Sequence, residues 1–150
     1  MGEEPPRVLV DTNVWISAFI NPDGPPGKVL AAFLEGRFVP VISQALLEEI
    51  REVLRRPRLR RVCRVSEEDQ TITLELLRDR AVEALLTGTI HMCRDPEDDF
   101  LLETALVGDA RFAVSRDDDL KRDRDLTAHL ERRGVQVLSV AQFLGFLSRL

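Results

Sequence analysis

Along this chain, short unbroken apolar runs alternate with longer stretches in which apolar residues recur at helical spacing. Arg7 to Asp11 (RVLVD) is a β-branched run closed by an acid and predicts a buried strand. Asn21 to Gly27 (NPDGPPG) is dense in turn formers, and KVLAAFLEG behind it has helical spacing and a glycine to stop on. Phe38 to Ser43 predicts the next strand. Ser43 is placed to cap a helix through QALLEEIREVLRR, where Leu46, Leu47, Ile50, Val53 and Leu54 form one stripe that Pro57 ends. Ser66 and Asp69 resemble a capping box, and a helix is expected from there to about Leu86, with Ile72, Leu76, Leu77 and Leu85 inward and Gly88 as its punctuation.

Asp95 and Pro96 read as the N-cap and first residue of a helix through FLLETALVG, with Glu97 and Asp98 complementing its positive end. Arg111 to Ser115 (RFAVS) predicts a strand and a charged helical stretch follows. Val135 to Val140 predicts the last strand, and AQFLGFL a terminal helix. Strands separated by helices imply a mainly parallel sheet covered on both faces, an α/β fold built as a three-layer α/β/α sandwich. The 150 residues fit one domain over 1–150, with residues 1–6 expected to be disordered.

Composition changes this picture little: 44% hydrophobic and 31% charged residues are ordinary for a globular protein. No window reaches the roughly 18 consecutive apolar residues of a membrane span. The opening MGEEPPR carries acid where a signal peptide carries base, so a cytoplasmic setting is expected. Cys63 and Cys93, with only His91 nearby, are too few for a disulfide framework or a zinc site and are expected to be buried, reduced packing residues. His91 and His129 have no partner pattern. Trp15 and Phe19 sit at helical spacing and are expected in the core or a dimer contact rather than stacked on bases.

Charge is more informative. A net charge of −5 does not fit a protein that holds nucleic acid by bulk attraction. Yet Arg55, Arg56, Arg58, Arg60, Arg61 and Arg64 crowd one short stretch, which fits a track for a phosphate backbone and a solvated face equally well.

Several acids lie where a parallel sheet binds ligands, at the carboxyl ends of its strands. Asp11 ends the first strand, and Asp117 comes two residues after the strand that closes at Ser115. By helical angle Glu49 borders the buried face centred on Ile50, whereas Glu48 and Glu52 point to solvent. With Asp95 as cap and Asp98 as its partner three residues on, Asp99 is the acid that helix chemistry does not need, although periodicity alone does not decide between Asp98 and Asp99. Asp118 to Asp125 reads as a solvated face. Clustered carboxylates stay ionised near neutrality only with a cation among them, and an oxygen-only set points to Mg2+ or Mn2+.

VLVDTNVWISAF, SQALLEEIREVLRRP, DPEDDFLLETAL and AVSRDDDL, in that order, resemble the four motifs of PIN-domain nucleases over nearly the whole chain. DTNV running on into Ser17 and Ala18 is similar to the branch that comprises toxin components of toxin–antitoxin pairs. The resemblance implies that Asp11, Glu49, Asp99 and Asp117 are a catalytic quartet around Mg2+ or Mn2+. It makes Asn13 and Ser115 hydrogen-bonding supports, and Asp95, Asp98 and Asp119 auxiliary acids. Arg116 departs from the small residue usual at its position and joins the six other arginines as a candidate RNA contact. The implied activity is metal-dependent hydrolysis of single-stranded RNA to 5′-phosphate and 3′-hydroxyl ends, with an antitoxin and a second copy of the chain as partners. Two other classes compete: a PIN-like module that binds RNA or protein without turnover, and a phosphotransfer enzyme with a nucleophilic aspartate. The latter wants an acid two residues after Asp11, where Asn13 stands.

Overall fold

The computed structural model describes residues 4–116, 118–119 and 123–150. Element order is β1 (Arg7–Val10), α1 (Thr12–Ile20), α2 (Pro25–Leu34), β2 (Val39–Ile42), α3 (Gln44–Arg55), α4 (Pro57–Val62), α5 (Glu67–Arg80), β3 (Val82–Glu83), α6 (Pro96–Val107), β4 (Phe112–Ser115), α7 (Arg124–Arg132), β5 (Gln136–Ser139) and α8 (Val140–Ser148). The five strands are all parallel in the order β3-β2-β1-β4-β5. Helices α1, α2 and α8 pack as one group and α6 with α7 as another, which completes a three-layer α/β/α sandwich.

This strand order decides where a site can form. From β1 the chain winds outward through β2 to β3, then returns to the other side of β1 and winds outward again through β4 to β5. The direction reverses between β1 and β4, so the loops leaving their carboxyl ends diverge and open a crevice there. Val8, Leu9 and Val10 pair with Phe112, Ala113 and Val114 across this junction, and all six are buried. Trp15 and Phe19 are buried. Trp15 packs edge-on against Phe33, and Phe38 edge-on against Phe143, so the aromatics serve the interior.

Several local expectations change. Pro57 stops α3 but opens α4, because a proline at the first helical position lacks only an amide that has no partner there. Helix α5 ends at Arg80 rather than near Leu86: Val82 and Glu83 pair with Val41 and Ile42, and the Ala84 amide donates to Ile42. A two-residue strand has no periodicity to read, and the sheet edge supplies its partner. Leu74 and Leu77 face inward, whereas Ile72 and Leu85 are exposed. Pro6 is buried and its carbonyl accepts the Val39 amide, so order begins before Arg7. Both cysteines are free and half-buried rather than enclosed.

Candidate active site

Asp11 follows three buried strand residues and precedes α1 in N-cap backbone geometry, yet its side chain makes no capping bond along the helix beyond the adjacent Thr12 amide. Its own amide donates to Val114 at 2.9 Å, which fixes it at the β1/β4 edge. Ser115, one residue further along β4, donates its hydroxyl to Asp11 Oδ2 at 3.2 Å. Burial first, then the charges of Asp119 and Glu49, push the Asp11 carboxyl from 3.8 up to about 6.

Glu49 is half-buried on α3, while Glu48 and Glu52 are exposed, as the helical angle predicts. Asp119 is buried, and its Oδ2 accepts from Asn13 Nδ2 at 3.1 Å and from Arg116 Nε at 3.2 Å. Asn13 therefore holds Asp119, and Ser115 holds Asp11. The Arg116 guanidinium pairs with Asp119 while its side chain stays 42% exposed. Asp117 lies outside the described residues.

Helix α6 brings the main departure from the sequence reading. Asp95 caps it by accepting the Glu97 amide at 3.0 Å, and its carbonyl accepts the Asp98 amide at 3.0 Å, but among the described residues the Asp98 side chain makes no bond to the Asp95 amide that would close a capping box. Asp98 instead shares a stripe with the fully buried Leu102 and Ala105, at i, i+4 and i+7, on the side where α6 packs over β1 and β2. Burial, then Asp123, Asp95, Asp11 and Asp125, push its carboxyl from 3.8 up to about 7.

Asp99 is committed elsewhere. Its Oδ1 accepts the amides of Met92 at 3.0 Å and Cys93 at 2.8 Å, and these bonds hold its carboxyl below the ordinary range. Glu103, one turn on, does the same for the amides of Thr87 and Gly88, at 2.6 and 3.0 Å. Together the pair ties the segment before α6 onto the helix. Asp99 is thus a loop anchor, and Asp98 is the α6 acid that feels Asp11. Glu103 held the clue in the sequence: the lone later acid of an apolar helix lies at i+4 from Asp99, so the two share a face and a task.

Asp123, expected on a solvated face, instead lines the crevice. A narrow space of about 20 Å3, enough for roughly one water, is bounded by Asp11, Ser115, Asp119 and Asp123 on its polar side and by Leu9, Leu101 and Leu126 among its apolar walls. Asp125, also missed, accepts the Arg94 amide at 2.8 Å. No local pattern marks either residue, since only the packing of α7 against α6 brings them in.

Residues 7–119 match the PIN domain, which is three quarters of the chain and spans every acid from Asp11 to Asp119. The chain belongs to the PIN-domain family. Uncharacterized protein MJ1680 of Methanocaldococcus jannaschii is 30% identical over 133 residues, covering 87% of this chain and 83% of its own length. PIN domains are generally nucleases that use divalent metal ions, and the donors of this PIN domain suit such an ion. They are hard carboxylate oxygens, and two of them, on Asp11 and Asp98, are pushed toward the neutral form by burial and by neighbouring carboxylates. A divalent cation removes that repulsion. No helix among the described residues is long and apolar enough to cross a membrane.

The arginine stretch divides. Arg60 pairs with Glu67 at 2.6 Å, and Arg64 reaches Asp23 at 2.9 Å and Asn21 at 2.8 Å. Arg55, Arg56, Arg58 and Arg61 are exposed and have no ion pair among the described residues.

Proposed function

We propose that this PIN domain is a Mg2+- or Mn2+-dependent endoribonuclease that hydrolyses single-stranded RNA in the cytoplasm. The observation that carries the reading is the gathering of carboxylates from elements far apart in sequence: Asp119 and Glu49 raise the affinity of Asp11 for a proton, and Asp123 and Asp11 raise that of Asp98. Asp11, Asp98 and Glu49 would hold the metal, with Asp117 added from the resemblance. Asp119 and Asp123 border them, and Asp99 moves from ligand to anchor.

When bound, a divalent cation supplies charge neutralisation, polarisation of a phosphoryl oxygen and a more acidic water. The chain supplies position. Ser115 fixes the rotamer of Asp11, Asn13 and Arg116 fix Asp119, and Asp99 with Glu103 steadies the segment that leads into Asp98. The exposed arginines begin at Arg55, six residues and about 9 Å along α3 from Glu49, close enough to track RNA that enters the crevice.

Purified protein is expected to cut single-stranded RNA in Mn2+ or Mg2+, to leave 5′-phosphate and 3′-hydroxyl ends, and to stop in chelator. Asp11→Asn should lower kcat/KM by about a hundredfold or more while the fold persists. Cleavage that survives both chelator and Asp11→Asn would assign the activity to something other than this crevice. The second reading, a module that binds RNA or protein without cutting, draws on Arg116, whose cation neutralises an acid of the cluster. RNA binding without cleavage by wild type, at any Mn2+ concentration, would favour it.

A role as the toxin of a toxin–antitoxin pair, blocked by a protein that fills the crevice, belongs to the same reading, as does a homodimer. A single-chain mass by light scattering at micromolar concentration would remove the dimer. Growth unaffected by induced expression would remove the toxin role.

A further inference from the structure

Cys93 and His129 carried no motif in the sequence, yet the fold brings them together with Asp125. One donor atom from each, the thiol Sγ, a carboxylate oxygen and an imidazole nitrogen, lies within 4.8 Å of the other two. Cys93 comes from the segment before α6, and the other two from α7, where a spacing of i, i+4 puts them on one face. His129 Nε2 stands 3.6 Å from Asp125 Oδ1.

A tetrahedral ion with bonds of about 2.0–2.3 Å holds its ligand atoms roughly 3.3–3.8 Å apart. The Asp125–His129 pair already has that spacing, and Cys93 needs to close by about 1 Å. The carboxylate is also braced, since its other oxygen accepts the amide of Arg94, the residue next to Cys93. Arg133 makes its short bond, 2.9 Å, to the His129 carbonyl and stands farther off, at 3.5 Å, from Nδ1. That arrangement leaves Nε2 facing Asp125.

The donors differ in kind from those of the crevice. A set of sulfur, nitrogen and oxygen selects a borderline-soft ion such as Zn2+, whereas Mg2+ prefers oxygen alone. Burial, a hydrogen bond to Asp99 and the surrounding carboxylates push the Cys93 thiol up to about 12, so the described groups around it favour the thiol over the thiolate. A cation would.

We propose that Cys93, Asp125 and His129 form a second metal site, of the Zn2+ class, with water completing its coordination. As the metal–sulfur bond forms, the thiol proton leaves to solvent. The site clasps the segment that leads into α6 onto α7, and so holds Asp98 and Asp123 at a fixed separation across the crevice.

Metal-stripped full-length protein titrated with Co2+ as probe should show one equivalent with a thiolate-to-cobalt charge-transfer band in the near ultraviolet. Stoichiometric Zn2+ should bleach it, and excess Mg2+ should not. Cys93→Ser should abolish the band, His129→Gln should weaken binding at least about tenfold, and Cys63→Ser should change neither. In wild type, which needs no variant to fold, Zn2+ should protect Cys93 but not Cys63 from alkylation, read by mass spectrometry. Absence of the band at micromolar Co2+, its survival in Cys93→Ser, or equal alkylation of both thiols with and without Zn2+ would overturn the site. RNA cleavage is not read, so the result stands apart from the ribonuclease reading.

Discussion

Asp98→Asn is expected to lower metal-dependent RNA cleavage by about a hundredfold or more, whereas Asp99→Asn should act mainly on stability and retain measurable turnover. Orientation on α6 separates the two residues. Asp98 lies on the stripe of Leu102 and Ala105 that faces the sheet, and its carboxyl interacts with Asp11. Asp99 is turned about 100° away and accepts two backbone amides of the preceding segment. Removing the Asp98 charge takes away a proposed metal ligand but also relieves repulsion, so the metal-free fold should keep or raise its melting temperature. Removing the Asp99 charge weakens two charge-assisted bonds and loosens that segment, so the melting temperature should fall. Metal titration followed by steady-state kinetics on both variants, beside thermal unfolding in chelator, separates the two roles. Equal losses of turnover with no difference in stability would return Asp99 to the metal.

In chelator, Asp11→Asn is expected to unfold at a higher temperature than wild type at pH 8, and this advantage should vanish near pH 4. Asp11 has a folded value of about 6 against 3.8 for the ordinary group, so the folded state binds this proton more tightly than the unfolded chain does. For an acid raised in this way, stability falls as pH rises from about 4 through the folded value and is level above it. Two units correspond to about 3 kcal/mol, or roughly 5–10 °C for a chain of this size. Asp98, raised to about 7, adds to the fall in the same direction. Asp99 and Glu103 have the opposite sign: their depressed carboxyls contribute above the ordinary range and lose that contribution only in more acid solution. The two windows therefore separate, and comparison with Asp11→Asn removes the histidines from the difference. Saturating Mg2+ should reverse the trend, stabilising wild type more at pH 8 than at pH 5.5. An Asp11→Asn variant no more stable than wild type at pH 8 in chelator would mean that Asp11 is not strained by its neighbours.

Strands and amphipathic helices were legible wherever one element has a pattern of its own. The β1 run, the α3 stripe with Ser43 as its cap, and the α6 cap at Asp95 all stand in the structure at or within a residue or two of their expected places. The acid at the border of α3 was legible for the same reason, because three exposed or half-buried glutamates on one helix sort themselves by angle. Strand β3 was not, since two residues bond only because the edge of β2 is there to receive them. Nor was the sorting of Asp98 from Asp99. On a helix buried nearly all round, the apolar residues no longer mark which side faces the sheet, and the deciding partners are backbone amides of Met92 and Cys93 that carry no side-chain signature.

The order of its residues alone determined that this chain alternates strand and helix, places an acid at the end of β1, and carries the run of motifs shared with PIN domains. Local bonding and periodicity are properties of neighbours, and neighbours are written in sequence. Only the tertiary structure decided which carboxylates meet. Asp11, Asp119 and Asp123 line one crevice, with Asp98 within electrostatic reach of Asp11 and Asp123, because strand order reverses between β1 and β4 and because α7 packs on α6. Charge repulsion, and the cation that answers it, depend on distances between segments far apart in sequence, which come into being only when the chain has folded.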